Sequence, residues 1–397
     1  MSITANKHPA RYPLASTTWD QAEIQAMSEV IASGTYTMGE QVAAFESAFA
    51  TYIGSRYCLM VNSGSSANLL MIAALRYVKN QQLRPGDEVL VPAVSWATTY
   101  FPLYQYQLKL VFVDIDARTL NYDLVALASA VTDRTRAILA VNLLGNPNDF
   151  TQIHSIIAGR NIMLLEDNCE SLGAIYDSRN AGTFGRAGAF SFFFSHHIST
   201  MEGGMVVTDD EELYHVMLSL RAHGWTRQIP SSNLICEKSE DSFYESFRFV
   251  LPGYNLRPLE LSGAIGIQQL RKLPTLISER RKNALTFRKH FESNPAFLLQ
   301  QEIGKSSWFG FSMVLTDQAQ VDRETVVKYL TSRSIECRPI VAGNFTLSEA
   351  VKYMHYEIHG TLKNANLIHN NGFFIGNHHY DLSKELEYLA EVMGEIM

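Results

Sequence analysis

Short apolar, β-branched runs alternate with amphipathic stretches through the first two thirds of the chain. The apolar runs fall at 87–96 (DEVLVPAVSW), 108–116 (LKLVFVDID), 135–145 (TRAILAVNLLG), 161–168 (NIMLLEDN), 188–194 (GAFSFFF) and 203–210 (GGMVVTDD). Strands buried on both faces read in this way, and their alternation with helical stretches predicts an α/β fold with a mostly parallel sheet covered by helices on both sides. Apolar residues at helical spacing predict helices over 40–52, 66–78, 123–130, 210–222 and 260–270. The polar segment 228–247, with its Pro and Ser residues, reads as a loop.

After residue 270 the pattern changes. One long helix is predicted over 274–294, then a strand over 306–315, a helix over 322–332 and a strand over 335–341. At 397 residues the chain exceeds the roughly 250–300 at which a single core stops growing. Two domains are therefore expected: a large one over 1–255, including an N-terminal arm, and a smaller α+β C-terminal domain over 256–397.

Composition narrows the function classes. The chain is 46% hydrophobic and 18% charged, as ordinary globular proteins are. A net charge of -7 without any Lys/Arg run argues against nucleic acid or an anionic membrane as partner, so a small-molecule ligand is the better expectation. Cys58, Cys169, Cys236 and Cys337 lie far apart with no CxxC pair, which suits free thiols in a reducing compartment and predicts neither disulfide nor metal site. No N-terminal apolar h-region and no membrane-length apolar run occur, so a cytoplasmic protein is expected.

In open α/β sheets, ligands bind beyond the carboxyl ends of the strands, and four stretches put polar residues there. In VNSGSSANLLMIAAL (61–75) a strand stops and a helix begins among small hydroxyl residues, a start suited to a phosphate and equally to a plain N-cap. Trp96, closing an apolar run, can stack on a flat ring or pack in the core. In IMLLEDNCESLGA, Glu166, Asp167 and Glu170 follow four apolar residues; a carboxylate there can keep a pyridinium nitrogen protonated, or Asp167 can cap the next helix. The fourth stretch is FSFFFSHHISTMEGGMVVTDD (190–210), where adjacent His196 and His197 lie between Ser191 and the pair Gly203-Gly204. A single histidine is more often a packed core residue or a surface one, but two adjacent histidines are harder to hide, since in extended chain they point to opposite sides.

Together these stretches resemble the sugar-modifying DegT/DnrJ/EryC1/StrS branch of the fold-type I pyridoxal phosphate enzymes. The likeness extends to TYTMGEQVAAFESAFATYIGS (35–55) and LPGYNLRPLELSGAIGIQQL (251–270), and so to nearly the whole chain. In that family a lysine five residues after a serine, and six before the acidic residue of an E/D-G-G stretch, bonds covalently to the cofactor aldehyde. Here that count lands on His196, and no lysine occurs between Lys109 and Lys238. A histidine at this position marks a branch of the family that removes a hydroxyl instead of adding an amine.

The resemblance implies a pyridoxal/pyridoxamine 5'-phosphate cofactor, GDP-4-keto-6-deoxymannose as substrate and L-glutamate as amino donor. It implies C3 dehydration with ammonia release, as in dideoxysugar (colitose) biosynthesis. It further implies His196 as general base and acid, Ser65, Ser66 and Ser191 on the phosphate, Trp96 on the ring, Asp167 on its nitrogen and Glu170 near its hydroxyl. Asn255 and Arg257 are expected to complete the neighbouring subunit's site in a homodimer, and His223 and Arg338 to touch substrate or glutamate. Arg221, His223 and Arg227 also read as a solvated helix end. A sugar aminotransferase with His196 as proton shuttle, and an inactive regulator that binds the same ligands, are the competing readings.

Overall fold

A computed structural model describes residues 11–397. The strands are β1 (Tyr57–Val61), β2 (Glu88–Pro92), β3 (Lys109–Val113), β4 (Thr135–Val141), β5 (Met163–Asp167), a small hairpin of β6 (Ile175–Tyr176) and β7 (Arg179–Asn180), β8 (Ala187–Ser191) and β9 (Gly204–Thr208). Beyond these come β10 (Phe297–Leu299), β11 (Gly310–Leu315), β12 (Cys337–Arg338), β13 (Tyr356–Ile358) and β14 (Gly372–Gly376). The main sheet has eight strands in the order β1-β9-β8-β5-β4-β2-β3-β13. Within it β9 runs antiparallel to β1 and β8, and the other pairings are parallel. This is the mostly parallel, helix-covered sheet that the alternating pattern predicts. A second, antiparallel sheet has the order β10-β11-β14-β12.

The central strands are buried along their length because both faces are covered. Leu59, Val61, Val89, Val91, Leu139 and Leu165 join one core with the helix Gly64–Ala74, while Leu90, Ile138, Ala140 and Leu164 join another with Phe150 and Ile153. The second sheet has its own core, in which Phe287 stacks on Phe311 with centroids 4.4 Å apart.

Several elements depart from the sequence reading. The helices expected at 260–270 and 274–294 are one helix, Glu260–Phe291, with Pro274 inside it. An internal proline costs a helix about 3 kcal/mol. Here Leu270, Leu273, Leu276 and Ile277, on both sides of Pro274, are buried against Phe45, Phe49 and Leu172, and this contact carries the helix through. The strand expected at 306–315 begins only at Gly310, because residues 307 and 309 donate their N–H groups to Gly145 O and Leu144 O instead. The strand expected at 335–341 shortens to β12, and Val341 turns away with a φ of 43°. The C-terminal third also returns β13 to the edge of the main sheet, paired in parallel with β3.

The N-terminal arm crosses from one sheet to the other. Tyr12 is fully buried in the core of the second sheet and its hydroxyl donates to Gly376 O at 2.8 Å. The ring of His378 bonds to Pro13 O and to Ser16 Oγ, both at 2.9 Å. Beyond it Asp20 caps the helix Gln21–Ser33 in a reciprocal capping box with Glu23.

Candidate active site

The carboxyl ends of β5 and β8, the turn after β2 and the start of the helix Gly64–Ala74 converge on one cavity of about 620 Å³. Asp167, the last residue of β5, is 4% exposed at its edge. Its carboxylate accepts hydrogen bonds from Asn68 Nδ2 at 2.8 Å, Thr99 Oγ1 at 2.8 Å and the Cys169 N–H at 3.1 Å. Three donors reach this carboxylate and, among the described residues, no cation pairs with it, so it is left to meet a cationic partner. Asp167 does not serve as the helix cap that the sequence left open.

The helix Gly64–Ala74 is capped by Ser63, whose Oγ accepts the Ser66 N–H at 3.1 Å. Gly64 allows a close approach there: a Cβ at that position would lie 2.4 Å from Ser191 Cβ. The helix start, Ser65 and Ser191 therefore crowd onto one corner of the cavity, with Ser65 Oγ donating to Thr98 Oγ1 at 3.0 Å. Free N–H groups, hydroxyls and a helix dipole at one point suit a phosphate. Trp96 lines the cavity and is 59% exposed, so it is not a core residue.

Glu170 lines the cavity, partly buried, and accepts the Leu144 N–H at 3.0 Å. Burial, with the Asp167 charge adding to it, pushes its carboxyl up to about 7. Glu166 points elsewhere: it accepts the N–H groups of Gly182, Phe184 and Gly185 and shapes that turn.

The loop from β8 to β9 separates the two histidines. The His196 N–H donates to Phe193 O at 2.9 Å, and its ring lies in the cavity lining in a T-shaped contact with Phe309, ring centroids 5.2 Å apart. Burial and then the Arg280 cation lower its pKa to about 4, so the ring is neutral at pH 7. Its Nδ1 has no partner among the described residues. His197 turns the other way, is fully buried, and bonds through Nε2 to Ser307 O at 3.2 Å, tying the loop to the chain before β11. Among the described residues no lysine lines the cavity.

The structure thus brings Ser65, Trp96, Asp167, Glu170, Ser191, His196 and Arg338 to one cavity. Ser66 is not in its lining and bonds to Ser63 instead. His223, Asn255 and Arg257 gather elsewhere: Arg257 Nε donates to Asn255 Oδ1 at 3.0 Å, and Trp225 has His223 at 4.9 Å and Arg257 at 5.9 Å. Arg221 is not a solvated helix-end residue. It is 3% exposed and donates to Glu46 Oε1 at 2.6 Å and Met60 O at 2.8 Å.

Sequence reasoning missed Asn68, Thr99 and Arg280. Asn68 and Thr99 each lie three positions after a residue it singled out, Ser65 and Trp96, and that helical spacing was an available signal. Arg280 had none, since SERRKN inside a long helix reads as a solvated face.

The model of the DegT/DnrJ/EryC1/StrS aminotransferase family matches residues 17–394. The chain belongs to that family. It is 57% identical over 384 residues to a GDP-4-keto-6-deoxy-D-mannose 3-dehydratase of Escherichia coli O55:H7, covering 96% of this chain and 99% of that one. It is 56% identical to the protein of the same name from Yersinia pseudotuberculosis, covering 96% and 98% of the two chains. A solved structure of GDP-4-keto-6-deoxymannose-3-dehydratase with a trapped PLP-glutamate geminal diamine superposes with a TM-score of 0.95 at 56% identity, over 96% of this chain and 100% of that one.

Proposed function

We propose that this chain is a pyridoxal phosphate-dependent 3-dehydratase acting on GDP-4-keto-6-deoxy-D-mannose. In this reading it removes the C3 hydroxyl as water, releases the 4-keto-3,6-dideoxy sugar and ammonia, and recovers the amine form of the cofactor from L-glutamate. The observation that carries it is His196 in the cavity that Asp167, Trp96 and Ser191 line, with no lysine among the described lining residues.

The residues present fit the cofactor. Gly64 leaves space at a hydroxyl-rich helix start for a phosphate, and the buried Asp167 carboxylate accepts three neutral donors and meets no cation among the described residues. We assign Ser65, Ser191 and the helix start to the phosphate, Trp96 to the ring face, Asp167 to the ring nitrogen and Glu170 to the ring hydroxyl. When bound, pyridoxamine phosphate supplies the amine that condenses with the C4 ketone and a ring that accepts electron density as a C–H bond breaks.

His196 then holds and moves one proton. Neutral at pH 7, it takes the proton from the cofactor C4' carbon and returns it to the C3 oxygen, which departs as water. An imidazole also cannot bond to the cofactor as a lysine amine does, so the sugar amine is not displaced onto the protein. His223, Asn255 and Arg257 are assigned to the site of the neighbouring subunit in a homodimer, and their grouping around Trp225 away from this chain's own cavity supports that.

The test is incubation of the protein with pyridoxal phosphate, L-glutamate and GDP-4-keto-6-deoxymannose, following sugar mass and ammonia. A 3-deoxy ketosugar and ammonia should form, and His196→Asn should slow this by about 100-fold or more, the contribution of a positioned acid–base group. A 4-amino sugar from the native protein would instead make the chain an aminotransferase.

A further inference from the structure

Arg280 is a buried cation without an anion among the described residues. It sits near the middle of the helix Glu260–Phe291, is 4% exposed and lines the cavity with His196, Phe309 and Asn377. Its Nη1 donates to Asn377 O at 2.7 Å and Phe309 O at 3.0 Å, with Trp308 O at 3.5 Å. Among the described residues no carboxylate pairs with it, Nε is buried without a partner, and Nη2 makes no hydrogen bond.

Carbonyl dipoles alone compensate a buried charge incompletely. Because Nη1 is pinned, the free edge is the Nε–Nη2 fork, whose two parallel donors match the two coplanar oxygens of a carboxylate. Burial lowers the pKa of the guanidinium only to about 10, so it stays cationic at pH 7. A tetrahedral phosphate is better served at the hydroxyl-rich helix start, whereas Arg280 offers a single planar donor edge.

We propose that Arg280 anchors a carboxylate of the amino donor on its Nε–Nη2 edge. This rests on the reading of L-glutamate as that donor. It gives Arg280 its binding role in the half of the cycle that regenerates the cofactor amine; in the dehydration half the residue acts only through its charge beside His196.

The probe is glutarate, a dicarboxylate with no amine to react, titrated calorimetrically into the pyridoxal phosphate-loaded protein. In Arg280→Lys and Arg280→Gln the affinity for glutarate should fall by about tenfold or more, the loss of a charge-assisted pair of hydrogen bonds. A single turnover of the sugar by protein preloaded with pyridoxamine phosphate should fall by clearly less than the glutarate affinity, the loss that a changed charge beside His196 accounts for, and less in Arg280→Lys, which keeps that charge, than in Arg280→Gln. On the native protein alone, glutaramide, which has amides in place of both carboxylates, should not compete with glutarate, a comparison that needs no variant to fold. Unchanged glutarate affinity in folded variants, or equal binding of glutaramide, would overturn the assignment. So would a single-turnover loss as large as the glutarate effect, which would give Arg280 to the sugar or to the tuning of His196. If native protein turns over no sugar, the 3-dehydratase reading fails, and the glutarate titration still decides the role of Arg280.

Discussion

The cavity has two linings of different character. The lining from the main sheet and its helices is largely closed by internal hydrogen bonds: Asp167 has Asn68, Thr99 and a backbone N–H, and Ser65 has Thr98. The lining reached from the second sheet and the long helix is open in this sense, for Arg280 Nε has no partner among the described residues. Satisfied groups hold a fixed shape, while unsatisfied buried donors and acceptors are completed by something that arrives. The difference teaches a division of labour. One lining is built to hold a permanent occupant, the other to meet molecules that come and go.

The comparison can be broken most forcefully at Asp167. Asp167→Ala removes the charge assigned to the ring nitrogen and strands the donors of Asn68 and Thr99, so affinity for pyridoxal phosphate, read by titration of its absorbance, should fall by about 100-fold. A cofactor affinity that survives this change would mean that the main-sheet lining does not grip the ring.

Glu170 offers a smaller effect with a definite sign. Its carboxyl, normally near 4.5, is raised to about 7. Between those values the folded chain binds more protons at this group than the unfolded chain, so the stabilisation is complete below about 4.5 and is lost as pH rises through about 7. Glu170→Gln mimics the protonated acid and removes this dependence. Its melting temperature relative to native should therefore climb as pH rises from 5 to 8; a flat difference would show that the carboxyl is not held protonated. The smallest effect separates neighbours: Ser65→Ala should weaken pyridoxal phosphate about fivefold, the loss of one hydrogen bond. Ser66→Ala, one residue outside the cavity lining, should change cofactor affinity by less than about twofold.

The sequence made the main-sheet lining legible because its chemistry lies at strand ends. An apolar run that stops at Asp167, Ser191 or near Trp96 announces both the strand and the edge where it opens. The other lining was largely hidden. Arg280 is buried by contacts with chain nearly one hundred residues away at Asn377, and nothing adjacent to it in sequence marks that burial. Pro274 looked like a break because local propensity gives no weight to the core on either side of it. β13 is three exposed residues and escapes any periodicity. Ser65 and Ser66 are equivalent on composition, and only the turn of the helix decides which one faces the cavity.

The grip of His378 on the N-terminal arm also orders events in time. Leu14, Ala15 and Ser16 line the cavity, yet the arm is held there by bonds from Tyr12 to Gly376, from Leu14 to Glu336 and from Pro13 and Ser16 to His378, more than three hundred positions later in the chain. Closing so long a loop is entropically costly and late. On the ribosome the main sheet can therefore pair its strands β1 to β9 well before that side of the pocket exists, because the arm must wait for chain made more than three hundred residues later.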